Sequence, residues 1–256
     1  MFKFNKILEW EWDFVVIVIT GASSGIGLET ANFLSKKGHK VYGFSRWVFE
    51  NSIFESLPCD ITDYETVKHY LQYVYEKEGK IDVLINNAGM GISGAVEYTK
   101  EEDIKKIFDV NVLALVNMCK LVIPYMRKNG KGKIVNISSV ASSIPIPFQA
   151  FYSATKASVQ EFSYALRIEV KPFNIDVSVV CPGDTKTNFT SARVKDNVKV
   201  DEIYGDRILR SIQKMEKDEQ KGMPAIAVSK VIYKIIKKKR SPACKTVAFG
   251  YKLIML

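Results

Sequence analysis

Tyr152 and Lys156 stand four residues apart in the run Tyr152-Ser153-Ala154-Thr155-Lys156. On a helix, positions i and i+4 share one face, so a phenol and an ammonium would point the same way. A phenol is a poor acid–base group near neutral pH, because its reference pKa is about 10. A neighbouring cation favours the phenolate and lowers that value. A phenol tuned in this way could give a proton to a forming alkoxide or take one from an alcohol. Tyrosine and lysine at this spacing are also common on helices that do no chemistry, so the pair needs company. The run Thr20-Gly21-Ala22-Ser23-Ser24-Gly25-Ile26-Gly27 supplies it. Glycines permit a tight turn and a close approach of backbone to a diphosphate. A helix starting in that turn offers unpaired N–H groups and the positive end of its dipole. Alone, such a turn could be an ordinary strand–helix connection. Between a buried strand and an amphipathic helix it points to a dinucleotide.

These residues need a scaffold, and the chain reads as an alternation of strands and helices. Phe14-Val15-Val16-Ile17-Val18-Ile19 is a continuous apolar run rich in β-branched residues, the pattern of a strand buried on both faces. Lys40 to Ser45, Ile81 to Asn86, Lys133 to Ser138, Ile175 to Cys181 and Lys245 to Phe249 read the same way. Helical patterns lie at Ile26 to Lys37, Tyr64 to Glu78, Glu101 to Asn129, Tyr152 to Val170 and Ala225 to Lys239. Strands joined by crossover helices imply an α/β fold, one doubly wound parallel sheet with helices on both faces. Asp184 to Pro224 breaks the rhythm: it is polar, basic and weakly periodic. It follows the C-terminal end of a strand, where ligands bind in such sheets, so it is expected to be an irregular substrate lid. Residues 1–13 precede the first strand as an extension, leaving 14–256 for the domain.

The GxxxGxG spacing of Gly21, Gly25 and Gly27 resembles that of the short-chain dehydrogenase/reductase family, and the resemblance runs from Val15 to about Tyr251. Asn86-Asn87-Ala88-Gly89 matches the family's NNAG motif, which steadies the sheet and borders the adenosine ribose. Cys59-Asp60-Ile61 ends the third strand, and the matching aspartate hydrogen-bonds adenine in the family. Pro182-Gly183 with Thr187 fits PGxxxT, the motif that shapes the nicotinamide pocket. Ser139 follows a strand and lies thirteen residues before Tyr152, the family's usual interval; Ser138 is its competitor. Asn111 occupies the family's fourth catalytic position, where it holds a water that connects the lysine to solvent.

The resemblance therefore implies a single Rossmann domain with a catalytic set of Asn111, Ser139, Tyr152 and Lys156. The implied cofactor-binding set is Gly21, Ser23, Ser24, Gly25, Ile26, Gly27, Ser45, Arg46, Asp60, Ile61, Asn87, Ala88, Gly89, Tyr152, Lys156, Pro182, Gly183 and Thr187. The implied reaction moves a hydride between a nicotinamide ring and a carbonyl or secondary alcohol. Tyr152 would protonate the oxygen, Ser139 would orient it, and Lys156 would tune Tyr152 and bind the nicotinamide ribose. The second strand ends Gly43-Phe44-Ser45-Arg46, without the acidic residue that holds the free ribose hydroxyls of NAD. Ser45 and Arg46 are expected to select NADP(H) over NAD(H) by pairing with a 2′-phosphate. Thirteen residues, Trp47 to Cys59, separate Arg46 from Asp60, which is short for the family and predicts an unusual wall around the adenine.

The remaining composition narrows the partners. With 47% hydrophobic and 25% charged residues, the 256-residue chain is an ordinary globular one. A net charge of +9 could attract nucleic acid, lipid or an acidic partner, but no nucleic-acid-reading motif accompanies it. Its densest basic run, Lys237 to Arg240, reads as the last turn of a helix. Cys59, Cys119, Cys181 and Cys244 form no CxxC pair, and a reducing cytoplasm is the expected setting. His39 and His69 lack metal-ligand spacing, so no metal is expected. No signal peptide and no membrane span are expected.

The resemblance also implies a homodimer or homotetramer formed through the helices at 101–129 and 152–170, where Val159, Phe162, Leu166 and Val170 suit burial; core packing explains them equally well. Ile92, Ile144, Pro145, Ile146, Phe148, Phe151 and Phe189 would make the pocket apolar, and the wording of several segments is similar to hydroxysteroid and retinol dehydrogenases. A steroid-like ketone is the leading substrate class. The alternatives are a 3-oxoacyl thioester on an acyl carrier protein, or a non-catalytic NADP(H) sensor. Sensors of this kind tend to lose the tyrosine or lysine, and this chain keeps both.

Overall fold

The computed structural model describes residues 14–48, 52–195 and 202–248. The N-terminal extension, the apolar tail Lys252 to Leu256 and part of the lid lie outside them. β1 (Val16–Thr20), β2 (Lys40–Ser45), β3 (Glu55–Pro58), β4 (Val83–Asn86), β5 (Gly132–Ile137), β6 (Ile175–Pro182) and β9 (Cys244–Val247) form one seven-stranded sheet. Its order is β3-β2-β1-β4-β5-β6-β9 and every pairing is parallel.

Both faces of the sheet are dry, because alternate side chains of each strand point to opposite sides. Val16, Val18, Tyr42, Phe44, Leu84 and Ile134 face one apolar cluster. Helices α2 (Tyr64–Glu78), α4 (Ala114–Lys128) and α5 (Ala150–Val170) cover it. Ile17, Ile19, Val41, Val83, Ile85 and Val135 face the other, under α1 (Gly25–Lys36) and α8 (Ala225–Lys237). Val159, Leu166 and Val170 are buried in the first cluster with Phe162 packed against it, so they serve the chain's own core. The order reverses between β1 and β4, and the crevice beyond their C-terminal ends is where such sheets bind ligands.

Three expectations change. The third strand ends at Pro58, so Cys59 to Ile61 form the loop after it. The helix expected from Glu101 to Asn129 is three pieces: α3 (Glu101–Phe108), a π turn (Asp109–Leu113) and α4. By length and composition the 28 residues Glu101–Lys128 could cross a membrane, which the sequence reading had not anticipated. In the fold, Ile107, Ala114, Leu115, Met118, Cys119, Val122 and Met126 of that stretch are buried.

The described part of the lid is also not irregular. It contains β7 (Thr185–Lys186), α6 (Phe189–Ala192), the 14-residue α7 (Arg207–Gln220) and β8 (Met223–Pro224), with β7 and β8 paired. Ile208 and Ile212 of α7 are buried with Ala95, and Tyr98, Phe148, Tyr204 and Met215 pack around them. Ile208, Ile212 and Met215 follow helical spacing, a short stripe that the surrounding charges masked. Cys181 and Cys244, unrelated in sequence, bring their sulfurs to 3.8 Å on neighbouring strands.

Candidate active site

The phosphate turn is packed backbone on backbone. Gly21 leaves β1 with φ +69°, and a Cβ there would lie 2.9 Å from the Ala88 Cα. A Cβ on Gly27 would lie 2.1 Å from the Gly21 carbonyl oxygen and 2.4 Å from Asn87 Nδ2. The Asn87 amide donates to the carbonyls of Thr20 (3.0 Å) and Gly21 (3.2 Å). Thr20 Oγ1 accepts from the N–H groups of Asn87 (3.0 Å) and Ala88 (3.1 Å). Beside them, buried Asn86 donates to Asn136 Oδ1 across the β4–β5 pair at 2.9 Å.

Ser24 caps α1, and the N–H of Leu28 reaches the Ser24 carbonyl at 3.1 Å. The N–H groups of Gly25, Ile26 and Gly27 precede the first intrahelical bond and face outward. The Ser24 side chain makes no cap bond, and no acidic residue occupies the first turn. The turn thus has the backbone donors, the dipole and the close approach that a dinucleotide diphosphate requires. Gly27→Ala is expected to weaken dinucleotide binding at least about tenfold in a fluorescence titration. It should also lower Tm by about 5 °C, because overpacking against fixed backbone costs about 2 kcal/mol.

The edges of this crevice hold the other expected contacts. Ser45 is buried; its hydroxyl donates to the Trp47 carbonyl (2.6 Å) and its own carbonyl accepts from Cys59 N–H (2.8 Å). Ser45 therefore braces the strand end from which Arg46 projects into solvent. Arg46 makes no ion pair among the described residues. Asp60 Oδ1 accepts from the Thr62 N–H (2.9 Å) and hydroxyl (2.7 Å), and Ile61 packs against the core. Opposite, Pro182 ends β6 and Gly183 donates to the Val247 carbonyl at 2.9 Å. A Cβ on Gly25 would lie 3.3 Å from Thr187 Cβ, so PGxxxT closes over the glycine turn.

Tyr152 stands in the first turn of α5, with Lys156 one turn on. The Lys156 ammonium is 5.7 Å from the centre of the Tyr152 ring and donates to the Ile137 carbonyl at 3.0 Å. Ser139 has extended backbone, accepts the Ala141 N–H at 3.1 Å and stands beside the Tyr152 phenol. Ser138 instead donates to the Lys156 carbonyl at 2.8 Å, which commits it to the α5 backbone. Asn111, buried in the π turn, clamps Met90: its Oδ1 accepts the Met90 N–H (2.8 Å) and its Nδ2 donates to the Met90 carbonyl (2.9 Å). It also donates to Thr155 Oγ1 at 3.1 Å. A Cβ on Gly89 would touch both Asn111 Oδ1 (3.2 Å) and Lys156 Nζ (3.5 Å). The structure thus brings Asn111, Ser139, Tyr152, Lys156 and Gly89 together.

The electrostatics differ from the expected tuning. Burial lowers the Lys156 ammonium to about 8. Burial raises the Tyr152 phenol to about 12, while the Ser139 hydrogen bond and the Arg193 charge pull it down. Lys156 does not help to lower it: its own ammonium, brought to about 8 by burial, has lost its charge by the pH at which the phenol titrates. The phenol consequently keeps its proton at neutral pH, the form a general acid needs.

Two residues here were not anticipated. Arg193 is buried beside Phe189 and ion-paired with Glu219 of α7. Glu219 sits four residues past Met215 on the stripe of Ile208 and Ile212, which was the legible signal.

A dinucleotide cradle facing a phenol, a hydroxyl and an ammonium defines a nicotinamide-dependent oxidoreductase acting on CH–OH and carbonyl groups. The comparisons with known proteins agree. The family model for short chain dehydrogenases matches residues 15–198, and the chain belongs to the short-chain dehydrogenase/reductase family. A 3-ketodihydrosphingosine reductase of Bacteroides thetaiotaomicron is 45% identical over 229 residues, covering 89% of this chain and 85% of that protein. An NADPH-dependent 1-acyldihydroxyacetone phosphate reductase of Saccharomyces cerevisiae is 29% identical over 232 residues, 86% of this chain and 78% of that protein. A crystal structure of a short-chain dehydrogenase from Streptomyces avermitilis shares the fold with a TM-score of 0.81 at 28% identity, covering 91% of this chain and 88% of that one.

Proposed function

We propose that the chain is an NADPH-dependent ketoreductase for a long aliphatic substrate, with the 3-keto group of 3-ketodihydrosphingosine as the leading candidate. The observation that carries the reading is the Tyr152 ring held 5.7 Å from the Lys156 ammonium, with Asn111 and Gly89 against that ammonium, and reduction is the direction in the names of both relatives. The substrate class rests on the relative that is 45% identical across most of both chains, and it replaces the steroid-like ketone suggested by the sequence.

The cofactor, when bound on the glycine turn, supplies a hydride. Tyr152 gives its proton to the carbonyl oxygen. The Ser139 hydroxyl holds that oxygen in line with the phenol. The Lys156 ammonium binds the nicotinamide ribose and stabilises the phenolate left behind until solvent returns the proton. Asn111 positions the Met90 loop, and with it Gly89, against Lys156.

NADPH consumption followed at 340 nm by absorbance decides among substrates: 3-ketodihydrosphingosine, a ketosteroid panel and an acetoacetyl thioester. The largest kcat/KM is expected for the first. A clear preference for the thioester would restore the acyl-carrier reading, and turnover of none would favour the sensor. The exposed Arg46 supports NADP(H) over NAD(H). The ratio of kcat/KM for NADPH to NADH is expected to exceed about tenfold, and Arg46→Asp should reverse the preference, because a paired phosphate is worth about 1.5–3 kcal/mol. A wild-type preference for NADH would overturn this assignment.

A further inference from the structure

Arg193 is held in place from three sides. Its neighbour Val194 pairs with the loop after NNAG: Val194 N–H donates to the Gly91 carbonyl and Ser93 N–H to the Val194 carbonyl, both at 3.0 Å. Its Nη2 donates to Glu219 Oε1, and Glu219 Oε2 accepts the Thr190 hydroxyl at 2.6 Å. Its guanidinium carbon lies 5.6 Å from the centre of the Phe189 ring, and that ring lies 5.7 Å from the Tyr152 ring. The guanidinium is therefore one ring's breadth from the acid.

The other edge of the same group finds no partner among the described residues. Arg193 is 5% exposed, yet Nε and Nη1 make no hydrogen bond to any of them. Buried donors are almost always satisfied in native proteins, so an unmet edge beside the Phe189 ring and the acid calls for an acceptor brought by a ligand. Gly91 leaves the space over that edge free of a side chain: a Cβ there would come within 3.3 Å of Nε and 3.1 Å of the Phe189 ring.

Charge decides what that acceptor is. Glu219 already neutralises the guanidinium, and the adjacent Lys195–Glu216 pair is balanced as well. A phosphate would leave an uncompensated buried negative charge, which is costly. A hydroxyl or carbonyl oxygen completes the site without one.

We infer that Arg193 is a specificity-determining residue whose Nε–Nη1 edge binds a neutral oxygen substituent, above all a hydroxyl, close to the reacting carbonyl of the substrate. This rests on the reading of Tyr152 as the acid for a ketone. It narrows the substrate to hydroxyketones, and the hydroxyl of a ketosphingoid base, two carbons from its ketone, meets the requirement.

The test compares matched substrates that differ only in that hydroxyl. One pair is 3-ketodihydrosphingosine and its analogue without the terminal hydroxyl; the other is hydroxybutanone, with its hydroxyl two carbons from the carbonyl, and butanone. In the wild-type enzyme the hydroxylated member should have the higher kcat/KM by about thirtyfold or more, since a site built to bond an oxygen rejects the analogue lacking it. In Arg193→Met that ratio should fall towards one, and Arg193→Lys should restore part of it. A purely structural latch would lower both members together and leave the ratio unchanged, which would overturn the inference. So would a wild-type ratio near one, or a failure to reduce either pair. NADPH binding and Tm report whether each variant is folded; if neither variant is, the wild-type ratios decide. Discrimination within the short pair alone, with the long pair untouched, removes the sphingoid substrate and leaves the role of Arg193 standing.

Discussion

Tyr152→Phe is expected to lose ketone reduction by about a thousandfold while binding NADPH within about threefold of the wild type. The substitution removes one oxygen and little else. The ring would keep its contact with Phe189, at 5.7 Å, and its place one turn before Lys156. What disappears is the proton donor beside Ser139. Positioned proton transfer contributes about 10²–10⁴-fold to such reactions, and no neighbouring group can replace it. Ser139 is a far weaker acid than the phenol and already accepts the Ala141 N–H. Single-turnover NADPH oxidation reports the loss, and a fluorescence titration reports binding. Turnover near the wild-type level would remove the proposed acid.

Lys156→Met should separate activity from stability. Its ammonium has been moved from an ordinary 10.5 to about 8, with burial as the leading cause. The unfolded chain therefore holds this proton up to about pH 10.5, and the folded chain only up to about pH 8. Keeping the charge costs the fold about 3 kcal/mol below pH 8, and the cost disappears above pH 10.5. Loss of the bond to Ile137 returns about 1 kcal/mol of that gain. The methionine variant should melt about 5 °C higher at pH 7, with the difference shrinking as pH rises towards 10. Its turnover should fall by at least about a hundredfold, because the ribose contact and the countercharge to the phenolate are gone. In the wild type, kcat/KM for reduction should decline as pH rises through about 8, where the ammonium loses its proton. A lower Tm for the variant at pH 7 would show that the lysine's contacts outweigh its burial.

The parts of the site that depend on strand–turn–helix grammar were readable in advance. Gly21, Gly25, Gly27, Asn87 and the Tyr152–Lys156 pair declare themselves through spacing that only close backbone contact or a shared helix face explains. Two kinds of information were not readable. The pKa of Tyr152 depends on how deeply its neighbours bury it and on the charges of Arg193 and Glu219 near it, and both are tertiary facts. The buried Arg193 looked like one more cation in a basic lid, because its partner Glu219 lies 26 residues away on a helix whose apolar stripe is only three residues long. Apolar residues at 208, 212 and 215 were visible; that they draw a carboxylate inward is a property of the packed chain.

The π turn at Asp109–Leu113 carries one more consequence. Each residue in an α-helix advances the azimuth by about 100°, and a π turn accommodates one residue more than the helical ladder needs. The halves α3 and α4 are therefore rotationally decoupled, with stripes that do not share one phase. Deleting a single residue within the turn could restore an unbroken helix with little backbone cost. The same deletion would swing the Asn111 position off Met90 and Thr155, so the irregularity is a phase adjuster that aims one amide at those two partners while its flanks obey other neighbours.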